Sequence, residues 1–181
     1  VVDGKVYVTV RYATVFGTEL YALNAADGAT VWSYPPGGSA NWSAICYENG
    51  RVFALNNSGL LRAIDGDTGN VIWSRQLFGT NFTSAPTVFQ GVIYIGGSAN
   101  GTAHAVSAET GNVLWSATVG AGSTTAAVTT DGVYLSYSCV DFSRLNPADG
   151  SLIWRNYGAC GSGTGRAPAI YNGRAYVRSP S

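Results

Sequence analysis

A nine-residue stretch is written four times in this chain, and no other feature limits its fold as tightly. The copies are Asn24–Trp32, Asp65–Trp73, Ser107–Trp115 and Asn146–Trp154. Each is a polar turn with a glycine four residues before a tryptophan. The tryptophans stand 41, 42 and 39 residues apart. Ala44, Ala85, Ala126 and Ala167 recur every 41 residues, and so do Gly50, Gly91, Gly132 and Gly173. Self-similarity at such a period belongs to four-stranded propeller blades or to paired helices.

Local chemistry separates the two. Arg51–Leu55 and Leu60–Ile64 flank the turn Asn56-Asn57-Ser58-Gly59, and Val92–Ile95 and Ala103–Val106 flank a second Gly/Ser/Asn turn. Short β-branched and aromatic runs between turn residues spell strands and hairpins. No run keeps a helical period for three turns, and glycine is too frequent for stable helices. The chain therefore reads as all-β: a β-propeller of four-stranded antiparallel blades, with about four blades present. Its expected repeat units are 1–34, 44–75, 85–117 and 126–156, with a partial fifth at 167–178. Two surplus strands in that fifth unit point to part of a seven- or eight-bladed ring; a complete small propeller is the alternative. In each unit the first strand starts at the marker alanine and the second follows the marker glycine. The third ends at the polar turn and the fourth carries the tryptophan. Both recurring glycines are expected at positive φ, which glycine alone adopts cheaply.

The pattern Ala-x-(Asp/Glu)-Thr-Gly-Asn-Val-x-Trp, preceded by strands such as Leu20-Tyr21-Ala22-Leu23, resembles the PQQ-like β-propeller repeat. That repeat occurs in quinoprotein dehydrogenases and in outer-membrane assembly propellers. The resemblance spans the chain and implies the fold more strongly than any activity. It further implies that Trp32, Trp73, Trp115 and Trp154 dock one blade on the next. Family dehydrogenases hold PQQ on the propeller axis with a catalytic Asp, calcium and often adjacent cysteines. This chain has no Cys-Cys pair, and no Asp can be matched to that base.

The formal net charge is zero, which points away from nucleic acid and anionic membranes. Only 11% of residues are charged, against roughly 25% in an average soluble protein. Solubility must come from Ser, Thr, Asn and Gly, from attached sugar, or from burial in an assembly. No run is long and apolar enough for a spanning helix, and there is no signal-peptide pattern. Unit one has extra residues around Arg11–Glu19, read as an extended hairpin or a contact loop.

Four Asn-x-Ser/Thr sequons begin at Asn41, Asn56, Asn81 and Asn100. All fall in connections on one face of the disc, either as glycosylation sites or as ordinary turn residues. Cys139 and Cys160 fall on that same face and form a candidate disulfide, which implies an oxidising compartment; two free thiols are the alternative. Cys46 reads as a small core residue. The single histidine, His104, takes a third-strand slot held elsewhere by Tyr21, Arg62 and Ser143, and reads as structural. Asp27, Asp67, Glu109 and Asp149 lie in the repeated turns, where they are expected to accept backbone N–H groups. Gly161–Gly165 is glycine-rich but does not lead into a helix, so it is no phosphate cradle.

No catalytic or metal-binding residue emerges, and no cofactor is evident. The leading expectation is a non-catalytic exported module, extracellular or periplasmic, that binds or scaffolds a protein or surface polymer. Further blades would come from the rest of a longer chain. One alternative is a PQQ- and calcium-dependent dehydrogenase with active residues partly outside this chain. Another is a subunit of an extracellular filament or surface layer.

Overall fold

A computed structural model describes residues 1–11, 17–34, 41–79, 81–120, 122, 124–137, 141–156 and 167–177. These residues form seventeen strands in five antiparallel meanders. The first sheet has three strands, β1 (Lys5–Arg11), β2 (Thr18–Asn24) and β3 (Thr30–Tyr34). The second has four: β4 (Trp42–Glu48), β5 (Arg51–Asn56), β6 (Leu60–Asp65) and β7 (Val71–Gln76). The third holds β8 (Thr87–Phe89), β9 (Val92–Ile95), β10 (Thr102–Ser107) and β11 (Val113–Thr118). The fourth holds β12 (Ala127–Thr129), β13 (Gly132–Tyr137), β14 (Asp141–Leu145) and β15 (Leu152–Asn156). The last pairs β16 (Ala169–Tyr171) with β17 (Arg174–Tyr176).

Within each sheet, strands that follow one another in sequence are paired. The first strands of successive sheets also pack together, β4 beside β8 and β8 beside β12. This is the arrangement of propeller blades around an axis. The fold is all-β, with three complete four-stranded blades among the described residues.

The core lies between the sheets. Alternate residues of a strand face opposite sides, and here both sides are covered. Val52 and Ala54 of β5 join Leu20, Ala22 and Trp32 of the first sheet. Phe53 and Leu55, on the other side of β5, join Ile93, Ile95 and Val106 of the third. Tyr94, Ala105 and Trp115 then meet Val133, Leu135 and Leu145 of the fourth. A central strand therefore reads as an unbroken apolar run, Val52-Phe53-Ala54-Leu55, rather than as an alternation.

The turn between first and second strands uses two residues with positive φ. Asn49 and Gly50 have φ of 50° and 78°, and Gln90 and Gly91 have 50° and 77°. Asn172–Gly173 and Asp3–Gly4 match them. This is the hairpin geometry that suits twisted strands. The fourth sheet departs from the expectation. Thr129 pairs with Gly132, so the turn residues are Thr130 and Asp131, and Gly132 lies inside β13 without positive φ. Arg144 explains the change. It donates through Nη2 to the carbonyl and carboxylate of Asp131, each at 2.8 Å. A Cβ on Gly132 would stand 2.8 Å from Arg144 Nε and 2.9 Å from the Tyr134 ring. The glycine is needed there for space.

Candidate functional site

The repeated turns are the places where polar chemistry recurs, so they are the first candidates for a site. Gly28, Gly69, Gly111 and Gly150 all have φ between 71° and 75°. The turn is held by its first residue. Asn24 Oδ1 accepts the Ala26 N–H at 2.9 Å, and Asn146 Oδ1 accepts that of Ala148 at 3.0 Å. Asp65 Oδ1 takes the N–H groups of Asp67 and Thr68 together with the Thr68 hydroxyl. Ser107 Oγ accepts from Thr110 N–H at 3.2 Å.

The expected turn carboxylates divide into two kinds. Asp27 and Asp149 accept the N–H two residues on, both at 2.9 Å. Asp67 instead pairs with Lys5 at 2.7 Å, across to the first sheet. No backbone N–H of its turn reaches the Glu109 carboxylate among the described residues. The reason is alignment: Asp67 and Glu109 stand two residues before the glycine, whereas Asp27 and Asp149 stand one before it. The hydrogen bonds from Thr68 and Ser151 hold Asp65 and Asp149 below the usual carboxylate range.

Three of the four turns, those of Gly69, Gly111 and Gly150, also receive a tryptophan from the preceding sheet. Trp32 Nε1 donates to Gly66 O at 2.8 Å, Trp73 to Ala108 O at 3.2 Å and Trp115 to Pro147 O at 2.8 Å. The acceptor is always the second residue of the nine-residue stretch. The indole covers that stretch's glycine so closely that a Cβ on Gly69, Gly111 or Gly150 would stand 2.9, 2.7 or 2.6 Å from it. Trp154 differs. It is 39% exposed and lines an apolar cleft with Tyr134, Pro168 and Ala175.

Sequence reasoning missed the row behind each tryptophan. Ala22, Ala63 and Ala105 pair with Trp32, Trp73 and Trp115, and a bulge follows each alanine. An aromatic of the second strand completes the row: Tyr7, Phe53 and Tyr94, with ring centroids 5.9–6.0 Å from the indoles. The signal was present as an aromatic three residues after the marker glycine. In the fourth sheet the row is Tyr134, Arg144 and Trp154, with Tyr134 two residues after Gly132.

His104 lies 2% exposed in β10. Its Nε2 meets the Phe78 carbonyl at 2.8 Å, which can only accept, so Nε2 carries the proton. Its Nδ1 then accepts from Ser116 Oγ at 2.8 Å. Burial pulls its pKa down, partly offset by the Phe78 carbonyl. Both ring nitrogens are engaged, and the ring ties the third sheet to the segment after β7. Arg62, in the matching slot of β6, donates to Tyr34 OH at 2.5 Å, with its guanidinium 5.7 Å from the Trp42 ring. In the fourth sheet Arg155 grips the buried Asp141 through Nε and Nη2, at 2.8 and 2.5 Å. Tyr137 beside it donates to Gly96 O at 2.9 Å, and burial first, then Asp141, pushes its phenol well up.

The sequon asparagines fall in different settings. Asn56 is 1% exposed, and its Oδ1 accepts from Ser58 N–H, Ser58 Oγ and Leu60 N–H, capping the β5–β6 turn. Asn41 is half-buried, whereas Asn81 and Asn100 are exposed. Cys139, Cys160, the glycine-rich 161–165 and most of the long first-unit loop lie outside the described residues. Cys46 packs against the cluster between the second and third sheets, and burial pushes its thiol up to about 12.

Comparison with known proteins follows the repeat. A family described as outer membrane protein assembly factor BamB matches residues 16–179. Quinohemoprotein alcohol dehydrogenase ADH-IIG of Pseudomonas putida is 33% identical over 111 residues, 53% of this chain and 15% of that protein. Among solved structures, the computationally designed Ika8 protein aligns with a TM-score of 0.77 at 18% identity, over 94% of this chain and 51% of its own. BamB from Moraxella catarrhalis aligns at 0.74 and 22% identity, over 95% of this chain and 54% of its own. The chain thus spans about half of those solved chains and a much smaller part of the dehydrogenase.

Proposed function

We infer the function from the premise that this chain belongs to the BamB family of PQQ-like propellers, whose pattern covers most of its length. The reading supported best is a non-catalytic binding or scaffolding module that works outside the cytoplasm, in the periplasm or beyond. One observation carries it. Polar groups of the repeated turns join the protein to itself, Asp27 and Asp149 to turn backbone and three indoles to the next turn, and the single histidine, His104, is engaged by Ser116 and Phe78. The partner is a protein or surface polymer. It would be met by the connections on the face opposite the repeated turns, where repeats differ most.

A second reading rests on the 33% identity with a quinohemoprotein alcohol dehydrogenase. That chemistry would need a donor set for calcium beside a quinone. Among the described residues no three His, Cys, Asp or Glu side chains come together as a metal would require. The described residues do not fit the ion. Titration with PQQ and calcium, followed by dye reduction with primary alcohols, separates the readings. A scaffold gives neither saturable quinone binding nor turnover; quinone-dependent dye reduction overturns it.

A further inference from the structure

We propose that Asn81 carries an N-linked glycan whose first sugar packs on the exposed ring of Phe78. Such glycans are attached during export, so this rests on the reading that the chain works outside the cytoplasm. Asn81-Phe82-Thr83 is an Asn-x-Thr acceptor sequence. Phe78 stands three residues before Asn81 and is 80% exposed. The turn that joins them is fixed at several points. Leu77 N–H donates to Gly59 O at 2.8 Å, and Phe82 N–H to Asn57 O at 3.1 Å. The buried His104 meets both ends of the turn. Its Nε2 donates to Phe78 O at 2.8 Å, and its ring centroid lies 6.1 Å from that of Phe82. Phe82 is fully buried, and a Cβ on Gly79 would stand 2.8 Å from its ring. Gly79 and Asn81 take positive φ, 136° and 56°. The chain therefore reverses between Phe78 and Phe82, and Phe78 and Asn81 stand out to solvent from one turn.

Spacing alone does not produce this arrangement. Phe53 also stands three residues before a sequon asparagine, Asn56, but it lies in β5 and is fully buried. Asn56 is engaged by Ser58 and Leu60 and has no room for a sugar in the folded chain. Asn41 and Asn100 have a glycine at that distance. The transfer forms a bond from the Asn81 side-chain nitrogen to C1 of an N-acetylglucosamine carried on a lipid pyrophosphate. The C1–O bond breaks, the lipid pyrophosphate leaves with the electron pair, and the amide gives up one proton; nothing is oxidised or reduced. The C–H face of that sugar is apolar. Laid on Phe78, it removes from water an apolar ring that the protein leaves uncovered.

Secretion of the 181-residue chain from a mammalian cell line, directed by a cleavable leader, tests this. The leader imposes export, so a bare Asn81 counts against the glycan and not against the chain's place outside the cytoplasm. Glycan release by peptide N-glycosidase in heavy-oxygen water, followed by peptide mass spectrometry, should mark Asn81 as occupied and leave Asn56 unmarked. Release should also lower the melting temperature of the wild-type chain. The drop should be smaller in Phe78→Ser, which keeps the acceptor sequence and alters an exposed side chain. Asn81→Gln should show the same smaller drop. Asn81 without sugar, or a drop of equal size in the wild-type chain and Phe78→Ser, overturns the proposal.

Discussion

Trp73 joins three elements at once: it pairs with Ala63, lies on Gly111 and donates to Ala108 O. Trp73→Ala should lower stability by roughly 3–5 kcal/mol, the range for truncating a large packed aromatic. Urea unfolding checks this, and a loss below about 1 kcal/mol would remove the docking role assigned to it. His104 makes a prediction of another kind. Its folded pKa lies below the ordinary 6.5 because burial disfavours the charged ring. The folded state thus binds fewer protons than the unfolded one. Its contribution is present above pH 6.5 and declines as pH falls from there toward the folded value. Melting temperature should drop between pH 7.5 and 5.5, and less so in His104→Gln. At this scale the sequence was legible where a residue repeats, and opaque where its role depends on neighbours. Nothing in Ser107 or Asn146 alone says that it holds a turn, nor in Phe78 that its carbonyl meets a histidine.

Strands and turns were more legible than their register. Mostly apolar runs of four or five residues between Gly/Asn turns located the strands because no other local structure suits them. The fourth sheet broke the pattern: Gly132 keeps the spacing of a turn glycine yet sits in a strand, since Arg144 crosses it. A glycine can be required by φ or by space, and the sequence writes both with one letter. Two substitutions separate these causes. Gly50 has φ of 78° and open space around it, whereas Gly111 has φ of 71° and the Trp73 indole upon it. Gly50→Ala should cost about 1–2 kcal/mol, the left-handed penalty alone. Gly111→Ala should cost more, by an amount equal to displacing the indole. Equal losses in urea would mean that the indole contact contributes nothing.

Across the whole molecule, the blade architecture was legible from a period near 41 residues, while the identity of a partner was not. Under the proposed function a partner would be met by the connections that differ between repeats, and a difference has no pattern to read. The thiols offer a test of molecular setting. Native chain treated with iodoacetamide should take up no label if Cys139 and Cys160 are joined, because the Cys46 thiol is pushed up to about 12. Reduction should admit two labels and denaturation a third, read by intact mass; two labels on the unreduced native chain would dismiss the disulfide. The neighbour-to-neighbour pairing within each sheet has a kinetic consequence. Every hairpin closes a short loop, so little chain entropy is lost before each contact forms. Such an array behaves as a one-dimensional lattice in which order spreads from any site to the adjacent one. Opening should begin at its boundaries. Amide hydrogens of β16 and β17 should exchange with deuterium first, and those of β5, covered on both sides, last.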